Sequence, residues 1–367
     1  MKVPFVDLDS QYKSIKPEIL KSIEGVLDSK KFVMGDYEQT FSKEFSKVHG
    51  SKYSVGCSNG TSAITVALRS LGIKAGDEVI TPANSFFATP EAIYEVGAKP
   101  VFIDCDPDTY AMKFSDIEKA ITPNTKAIIP VHLYGNPTPM KDIVNLCEKH
   151  NLYLIEDCAQ AHLASIDGKA VGTFGEFGTF SFYPGKNLGA YGDAGAVITQ
   201  DEKLLKTASM HINHGRTKKY EHEFCAGNFR MDGIQAAILS VKAKYISKWT
   251  DQRIAAAQKY DEIFKSKGFK VLKVNPNSKC AYHLYPIEVS NRDEVISHLK
   301  NNDIGCGVHY PIPLHLQPAL SELGYKLGDF PNCEAASERM LSIPIFPEIT
   351  DEQINKVAQI FLEIAKI

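Results

Sequence analysis

Short apolar runs alternate with helical patterns along the first half of the chain, and this alternation narrows the possible folds more than any other feature. A strand-like run at residues 53–57, for example, is followed by a helical pattern at 62–71. Parallel strands cannot be joined by a tight turn, so strands separated by helices build βαβ units around a largely parallel sheet. The sequence therefore predicts an α/β fold.

The other elements are predicted in the same way. Further strands are expected at residues 78–81, 100–104, 127–131, 152–155 and 194–199, and helices at 15–27, 37–48, 88–96 and 140–150. One long helical pattern, 232–264, is interpreted as the bridge to a second domain. Beyond it we expect a strand at 283–289, a helix at 293–301, a strand around 308–310 and a last helix that begins with a capping box at 350–353.

The length of the chain predicts two domains. Its 367 residues exceed the ~250–300 at which a single core stops growing, and we divide them into a large domain, 1–248, and a smaller C-terminal α/β domain, 249–367. The formal net charge of -3 offers no basic surface for nucleic acid. No apolar run approaches the ~20 residues of a membrane helix, and residues 1–14 do not read as a signal peptide. A cytoplasmic protein without nucleic-acid or membrane partners is expected.

No metal site is predicted. The eight cysteines are scattered singly without a CxxC pair, and are interpreted as reduced thiols, most of them buried as small hydrophobic residues. Among the eleven histidines, His211 and His214 lie three residues apart but have no carboxylate or third ligand nearby.

A candidate anion site follows the first predicted strand, where residues 58–62 read SNGTS and lead into a helix. The free N–H groups at a helix start and the helix dipole favour a phosphate. The same residues are also typical of an ordinary helix cap, so the motif alone leaves both interpretations open. Because the chain contains neither a Walker loop nor GxGxxG, a single phosphate fits better than a triphosphate or a dinucleotide.

An acid and a lysine complete a second pattern. Asp157 follows the apolar strand 152–155, and the ligand of an open α/β sheet lies at such carboxyl ends. Lys186 lies within residues 180–195, FSFYPGKNLGAYGDAG. A slot of glycines and aromatic residues would desolvate this lysine and favour the neutral amine that condenses with an aldehyde. Taken one at a time, a loop-capping aspartate and an ordinary surface lysine remain the simpler interpretations.

Phosphate cradle, strand-end acid and slot lysine, in that order, are what pyridoxal 5′-phosphate requires. The cradle anchors the phosphate, the acid keeps the ring nitrogen protonated, and the lysine bonds to the aldehyde and shuttles protons. Phe86 follows the strand at 78–81 and is placed to stack on the ring, with core packing as the alternative.

At this point the chain resembles the DegT/DnrJ/EryC1/StrS family of sugar aminotransferases. The resemblance extends from PFVDL at residue 4 almost to the C-terminus. It rests on the segments GDEVITPANSFFAT, AKPVFIDCDPDTY, IEDCAQAH, FSFYPGKNLGAYGDAGA, HGR, KYEH, GNFRMDGIQAAIL and HYPIPLHLQPA. It implies the aspartate-aminotransferase-like fold of type I, with a large αβα domain. One departure is Leu163, where the family usually has glycine.

The resemblance also implies roles for individual residues. Lys186 would bond to the cofactor, Asp157 would pair with its ring nitrogen, and Gln160 would lie beside its ring hydroxyl. The other cofactor contacts would be Phe86 against the ring and Gly60, Thr61 and Ser181 on the phosphate. Asn228 would reach the phosphate of the neighbouring subunit's cofactor, which implies a homodimer with shared sites.

The greatest resemblance is to members that aminate carbon 3 of dTDP-linked 3-keto-6-deoxyhexoses, marked by NLGAYGD, VHYPIPLHLQPA and LGYKLGDFP. It implies that Tyr183, His309 and Tyr310 lie near the sugar, and we expect His309 to titrate near neutral pH as an acid–base group. The implied donor is L-glutamate, and the implied pathway is deoxyamino-sugar biosynthesis for surface glycans such as lipopolysaccharide. The sequence does not distinguish a substrate of the gluco configuration from one of the galacto configuration.

Other interpretations stay open at this stage. The first is amination at carbon 4 of a nucleotide-linked 4-keto-6-deoxy sugar. A different class is a non-catalytic regulator that binds the cofactor, which the intact pair of Lys186 and Asp157 disfavours. A third, a sugar dehydratase of the same fold, would carry histidine in place of Lys186.

Overall fold

The predicted alternation of strands and helices is present in the structure, a computed structural model that describes residues 1–367. The strands are β1 (Tyr53–Cys57), β2 (Glu78–Pro82), β3 (Lys99–Ile103), β4 (Thr125–Ile128), β5 (Tyr153–Asp157), β6 (Ser165–Ile166), β7 (Lys169–Ala170), β8 (Phe177–Ser181), β9 (Gly195–Thr199), β10 (Arg216–Lys218), β11 (Glu221–His222), β12 (Ser278–Lys279), β13 (Tyr285–Glu288) and β14 (Met340–Ile343).

The helices complete the element list. They are α1 (Leu8–Ser29), α2 (Asp36–Val48), α3 (Gly60–Ser70), α4 (Ala88–Glu95), α5 (Phe114–Ile117), α6 (Met140–His150), α7 (Glu202–Ile212), α8 (Gly233–Ala243), α9 (Ile246–Ser266), α10 (Arg292–Asn301), α11 (Pro331–Arg339) and α12 (Asp351–Leu362). Short 3-10 turns lie at Glu118–Ala120, Leu133–Gly135, Leu314–Leu316 and Pro318–Leu323.

Seven strands form one sheet in the order β1-β9-β8-β5-β4-β2-β3. Strand β9 is antiparallel to both of its neighbours, and the pairs from β8 through β3 are all parallel. Six strands therefore point the same way, which confirms the predicted, mostly parallel sheet. The carboxyl ends of β1, β5 and β8 meet at one edge, so the segments that follow these strands converge there.

Helices cover both faces of this sheet. Side chains alternate across a strand, and on β8 Phe177 packs into a core with Ile64 of α3, whereas Phe180 packs into another core with Phe45 of α2. Sealing a sheet on both sides leaves ligand access only at its edges. The large αβα layer structure is thus the predicted one.

A second core lies in the C-terminal part of the chain, where β13 and β14 form an antiparallel pair beside α10, α11 and α12. Its centre is aromatic: Phe264 packs against Tyr260, Tyr285 and Phe361. The capping box at the start of α12 is present as predicted. The first residues of the chain join this core, because Val3 pairs with Ile304. The division at residue 248 stays a prediction.

The single helix predicted at 232–264 is wrong, since the structure divides it into α8 and α9 around Lys244 and Tyr245. Each part packs against different partners, α8 against α1 and α2, and α9 against α12. At the break, the Tyr245 hydroxyl donates to Glu18 and its ring stacks on Trp249. No glycine or proline marks this position, so the periodicity alone could not reveal it.

The strand expected around 308–310 is also wrong, because these residues are not part of any ladder. Only the preceding Gly307 pairs with Ser342 of β14, through two main-chain hydrogen bonds of 3.1 and 2.8 Å. After this contact the chain leaves the β13–β14 pair and approaches the edge of the large sheet.

All eight cysteines are free thiols, and six of them are buried, as predicted for most. Cys306 is half-buried and Cys225 is exposed. None of the helices combines the length and the apolarity that crossing a bilayer requires.

Candidate active site

The start of α3 has the form of an anion site. Asn59 caps the helix by accepting the N–H of Ser62 at 2.8 Å, while the N–H groups of Gly60 and Thr61 have no acceptor within the chain. A side chain at Gly60 would meet Ser181, because its Cβ would lie 2.7 Å from that of Ser181. Asn59 is therefore the cap of α3, and the two N–H groups that follow it are unpaired, as a phosphate site requires; the phosphate itself stays a prediction.

Asp157 ends β5 with only 5% of its surface exposed. Its Oδ2 accepts the Thr89 hydroxyl at 2.9 Å, and its Oδ1 accepts the Ala159 N–H at 3.1 Å. Burial raises the pKa of Asp157, while these two hydrogen bonds and the charge of Lys186 act against that rise. A buried carboxylate is stabilised by a cationic partner, and the protonated ring nitrogen of the cofactor would be one.

Lys186 lies in the turn that follows β8, where its N–H donates to the carbonyl of Tyr183 at 2.8 Å. The side chain is partly exposed, yet burial lowers the pKa of Lys186 to about 8, against the opposing charge of Asp157. Roughly a tenth of the amine is then neutral at pH 7. The expected desolvation of this lysine is therefore found.

Gln160 connects this region with the segment at 309–310. Its Oε1 accepts the N–H of Tyr134 at 2.7 Å, which fixes the orientation of the amide and directs Nε2 to the Tyr310 hydroxyl at 3.1 Å. The Phe86 ring lies 5.5 Å from that of Tyr310 and is 55% exposed. An open aromatic ring beside Tyr310 suits a flat ligand, so core packing does not describe Phe86.

His309 lies in the same region but differs from expectation in its titration. Its ring stacks on Phe5 with centroids 5.7 Å apart, and its Nδ1 is 3.0 Å from Ser342 Oγ. Burial lowers the pKa of His309 to about 4, and the charge of Lys186 acts in the same direction. The prediction that His309 titrates near neutral pH is therefore wrong; the ring is neutral there. Tyr183, the third residue assigned to the sugar, is 60% exposed next to the Lys186 turn.

The side chain of Asn228 is exposed and makes no hydrogen bond within this chain. It lies on a segment beside the anion site, because the carbonyl of the next residue, Phe229, accepts the N–H of Ser58 at 2.8 Å. The contact of Asn228 with a neighbouring subunit stays a prediction.

Leu163 stands where the family usually has glycine, and the backbone conformation gives the reason for that preference. Its φ is 61°, in the left-handed region that glycine adopts without strain. Its N–H donates to His49 Nε2 at 3.3 Å, and its side chain packs beside the core that contains Phe180.

Several residues that form hydrogen bonds to the site residues were not predicted from the sequence. Tyr134 is one: besides its bond to Gln160, its hydroxyl donates to the carbonyl of His309 at 2.7 Å. Others are Thr89, Asn187 and His283. Asn187 directly follows Lys186 in the glycine-rich motif, so its position there was a usable signal, whereas nothing in the sequence pairs Thr89, Tyr134 or His283 with the site.

One buried cluster consists of metal-binding residue types, with ligand atoms of His132, Glu156 and Cys158 within 4.8 Å of one another. Glu156 already accepts the N–H groups of Gly172 and Phe174, each at 2.7 Å, and lies 3.1 Å from His132 Nε2. These hydrogen bonds occupy both Glu156 oxygens and His132 Nε2, two of the three possible ligands of a metal. The cluster fixes the segment after β7 to the strand that carries Asp157.

The sequence pattern of the DegT/DnrJ/EryC1/StrS aminotransferase family matches residues 13–362. This chain belongs to that family. The aminotransferases of the family use pyridoxal 5′-phosphate, and one similar structure is described with the cofactor in its pyridoxamine form bound. The cofactor predicted from the sequence is thereby confirmed.

Three relatives of this DegT/DnrJ/EryC1/StrS family member span almost the whole chain. A pleiotropic regulatory protein of Geobacillus stearothermophilus is 42% identical and covers 100% of both chains. A UDP-N-acetyl-3-dehydro-alpha-D-glucosamine 3-aminotransferase of Acidithiobacillus ferrooxidans is 41% identical, over 98% of this chain and 96% of the relative. A dTDP-3-amino-3,4,6-trideoxy-alpha-D-glucose transaminase of Streptomyces venezuelae is 37% identical, over 97% and 94%.

The solved structure of DesV from S. venezuelae, described in complex with a ketimine intermediate, superposes on this DegT/DnrJ/EryC1/StrS family member with a TM-score of 0.96. Its sequence is 37% identical, and the alignment covers 99% of this chain and 98% of that one. The fold class is thereby confirmed. Family and relatives together identify this DegT/DnrJ/EryC1/StrS family member as a pyridoxal-phosphate-dependent sugar aminotransferase.

Proposed function

We propose that this aminotransferase converts a dTDP-linked 3-keto-6-deoxyhexose to its 3-amino sugar, with L-glutamate as amino donor and as a homodimer with shared sites. The observation that carries the proposal is the 3.1 Å hydrogen bond from Gln160 Nε2 to the Tyr310 hydroxyl. It joins Gln160, which is assigned to the cofactor, with the segment at 309–310, which is assigned to the sugar. The cofactor and the sugar would therefore bind next to each other.

The residues present fit the cofactor. The free N–H groups of Gly60 and Thr61, with Ser181 against them, would hold its phosphate, and Asp157 would hold its ring nitrogen. Lys186 would hold its aldehyde carbon. When bound, pyridoxal phosphate supplies an aldehyde that bonds to amines and a ring that stabilises negative charge on the neighbouring carbon.

The chain itself supplies the proton transfers. With a pKa of about 8, Lys186 Nζ can both release and regain a proton near neutral pH, which is the property of an effective general acid–base group. His309 stays uncharged above about pH 4. It would therefore offer the sugar a hydrogen bond without placing a second positive charge beside Lys186, and would not be the acid–base group itself.

The test is to incubate the cofactor-saturated enzyme and glutamate with the gluco and galacto epimers of the dTDP-linked 3-keto-6-deoxyhexose. The product sugar is identified by mass spectrometry and NMR. A 3-amino sugar from either epimer supports the proposal and assigns the configuration. Amination of a dTDP-linked 4-keto-6-deoxyglucose instead would show that the reacting carbon is wrong.

A second candidate keeps carbon 3 but replaces the nucleotide, because the relative that is 41% identical carries the name of a UDP-sugar 3-aminotransferase. The same assay with UDP-linked 3-keto-N-acetylglucosamine separates the two. A higher kcat/KM for the UDP-sugar than for both dTDP-sugars would favour the second candidate. A purely regulatory role, suggested by the name of another relative, requires no turnover with any of these sugars.

A further inference from the structure

Asn187, the residue after Lys186, is buried and makes two side-chain hydrogen bonds. Its Nδ2 donates to the carbonyl of Ala281 at 2.9 Å. Because a carbonyl only accepts, the orientation of the amide is settled, and its Oδ1 faces His283 Nδ1 at 3.2 Å. An amide oxygen only accepts as well, so the proton of the neutral imidazole must be on Nδ1. The structure thereby fixes the tautomer of His283.

The surroundings of His283 keep it in this neutral form. Burial lowers the pKa of His283 well below its usual value, and the charges of Lys186 and Arg253 act in the same direction, followed by His309 and His162. These are the titratable groups whose charges act on the ring. His283 therefore belongs to the environment of Lys186, although 97 positions separate them in the sequence.

The segment that carries His283 is attached to the large domain through its main chain. The N–H of Ala281 donates to the carbonyl of Gly135 at 2.9 Å, and the N–H of His283 donates to the carbonyl of Tyr134 at 2.8 Å. Tyr134 is the residue whose own N–H orients Gln160. Asn187 is thus bound to residues 281–283, a segment that we call the wall and that is fixed relative to the expected cofactor contacts.

A buried guanidinium holds the same segment from the other side. Arg253 of α9 donates from Nη1 to the carbonyls of Tyr282 and His283, at 3.2 and 3.3 Å, and to that of Ile345 at 2.9 Å. Charge-assisted bonds of this kind are stronger than neutral ones. These main-chain contacts therefore fix the position of His283 independently of its hydrogen bond with Asn187.

We propose that His283 is a positioning residue for Lys186 and acts through Asn187. This inference rests on the proposed role of Lys186 as the cofactor lysine. The hydrogen bond from His283 to Asn187 fixes the turn that carries Lys186 against the wall at 281–283, and so sets where Nζ lies relative to Asp157. Without this bond, Asn187 Oδ1 is a buried acceptor lacking its donor, and the turn shifts to find another.

The test uses amides that imitate one ring nitrogen at a time. In His283→Asn the amide nitrogen takes the place of Nδ1 and can still donate to Asn187, whereas in His283→Gln it takes the place of Nε2. Asn187→Ala removes the acceptor. The readouts, on cofactor-saturated protein, are the pH midpoint of the near-visible absorption band, the dissociation constant of the cofactor, and kcat.

We expect His283→Gln and Asn187→Ala to shift the midpoint in the same direction by about one pH unit, and to lower kcat by ~10–100-fold, as a displaced catalytic group does. His283→Asn should recover most of both losses. The double variant His283→Gln/Asn187→Ala should be no worse than either single variant, because both remove one interaction. His298→Gln, on α10, where the half-buried His298 ring lies 2.8 Å from Glu363, is the matched control and should leave all three readouts unchanged.

Two results would overturn the inference. Impairment of His283→Asn that equals or exceeds that of His283→Gln would mean that His283 does not act through a donor at Nδ1. A lower melting temperature with an unshifted midpoint in every variant would mean that the bond only stabilises the fold. Borohydride labelling of the same samples distinguishes a failure of the proposed function from a failure of the positioning role. Label on another lysine contradicts the proposed function. Label on Lys186 with an unshifted midpoint contradicts only the positioning role of His283.

Discussion

The hydroxyl of Thr89 donates a hydrogen bond to Asp157 Oδ2 at 2.9 Å. Thr89 lies in the first turn of α4, three residues after Phe86, and its hydroxyl is 2.9 Å from that of Ser85. The loop that presents the Phe86 ring is therefore attached to the acid that would face the ring nitrogen. If the cofactor lies between them, its face and its nitrogen are recognised by one connected unit.

Thr89→Val should weaken cofactor binding about tenfold, because Asp157 loses a donor and its charged form becomes less stable in a buried position. The dissociation constant is measured by titrating the cofactor-free protein and following the absorption band. Thr207→Val, on α7, is the control. An unchanged dissociation constant in Thr89→Val would show that Asp157 does not depend on this hydroxyl.

Lys186 should be the residue that bonds to the cofactor. The purified protein is expected to be yellow, and borohydride should bleach it and fix the cofactor to the peptide that contains Lys186. Lys186→Ala should still bind cofactor but lose ~10²–10⁴-fold or more in turnover, since the proton-transfer group is gone. Lys206→Ala on α7 serves as the control. Mass spectrometry that finds the label on another lysine would refute the assignment.

The pKa of Lys186 can be read from its reactivity in cofactor-free protein. The rate of modification by an amine reagent, followed on its peptide, should rise with pH around a midpoint near 8, to which burial lowers the pKa of Lys186. The charge of Asp157 favours the ammonium form and opposes that shift. Asp157→Asn should therefore move the midpoint below 8. A midpoint that moves upward, or stays near that of exposed lysines, contradicts this electrostatic account.

Asn228 should complete the site of a neighbouring subunit, together with the polar segment at residues 214–223, so the active unit is a symmetric dimer. Lys186→Ala and Asn228→Ala should each be inactive alone. Mixed chains should regain part of the activity, because a heterodimer holds one site with both residues intact. Full activity in a demonstrated monomer, or no recovery in verified heterodimers, would exclude shared sites.

His309→Asn should lower turnover of the keto-sugar by more than tenfold and leave the glutamate half-reaction nearly intact, because only the sugar meets this segment. Asparagine retains a polar group where Nδ1 meets Ser342 and loses Nε2. Because burial lowers the pKa of His309 to about 4, neither half-reaction should show an inflection from this residue between pH 6 and 8. Equal losses in both half-reactions would show that His309 does not act on the sugar specifically.

The parts of the fold and site that the sequence predicted have signals within a single segment. Alternating strands and helices gave the αβα domain, and Lys186 and Asp157 lie next to strand ends, where ligands of α/β sheets bind. The family resemblance was needed for Gln160 and Asn228, whose residue types alone carry no chemistry that identifies them.

The failures concern contacts between distant segments. The break between α8 and α9 depends on which partner each helix packs against, and neither partner is encoded in their periodicity. His309 was expected to titrate near neutral pH because its environment, set by Phe5 and the Lys186 region, is invisible in the sequence. Thr89 and His283 were missed for the same reason: each acts through a bond to a residue far away in the chain.

The pairing of Val3 with Ile304 has a consequence for biosynthesis. Val3 donates its N–H to the carbonyl of Asp303 at 2.9 Å and accepts the N–H of Gly305 at 2.8 Å. At ~5–20 residues per second, a ribosome adds Val3 on the order of tens of seconds before Asp303 and Gly305. The segment around Val3 must therefore stay unpaired during that time, and the C-terminal core is completed by a segment that was made about 300 residues earlier.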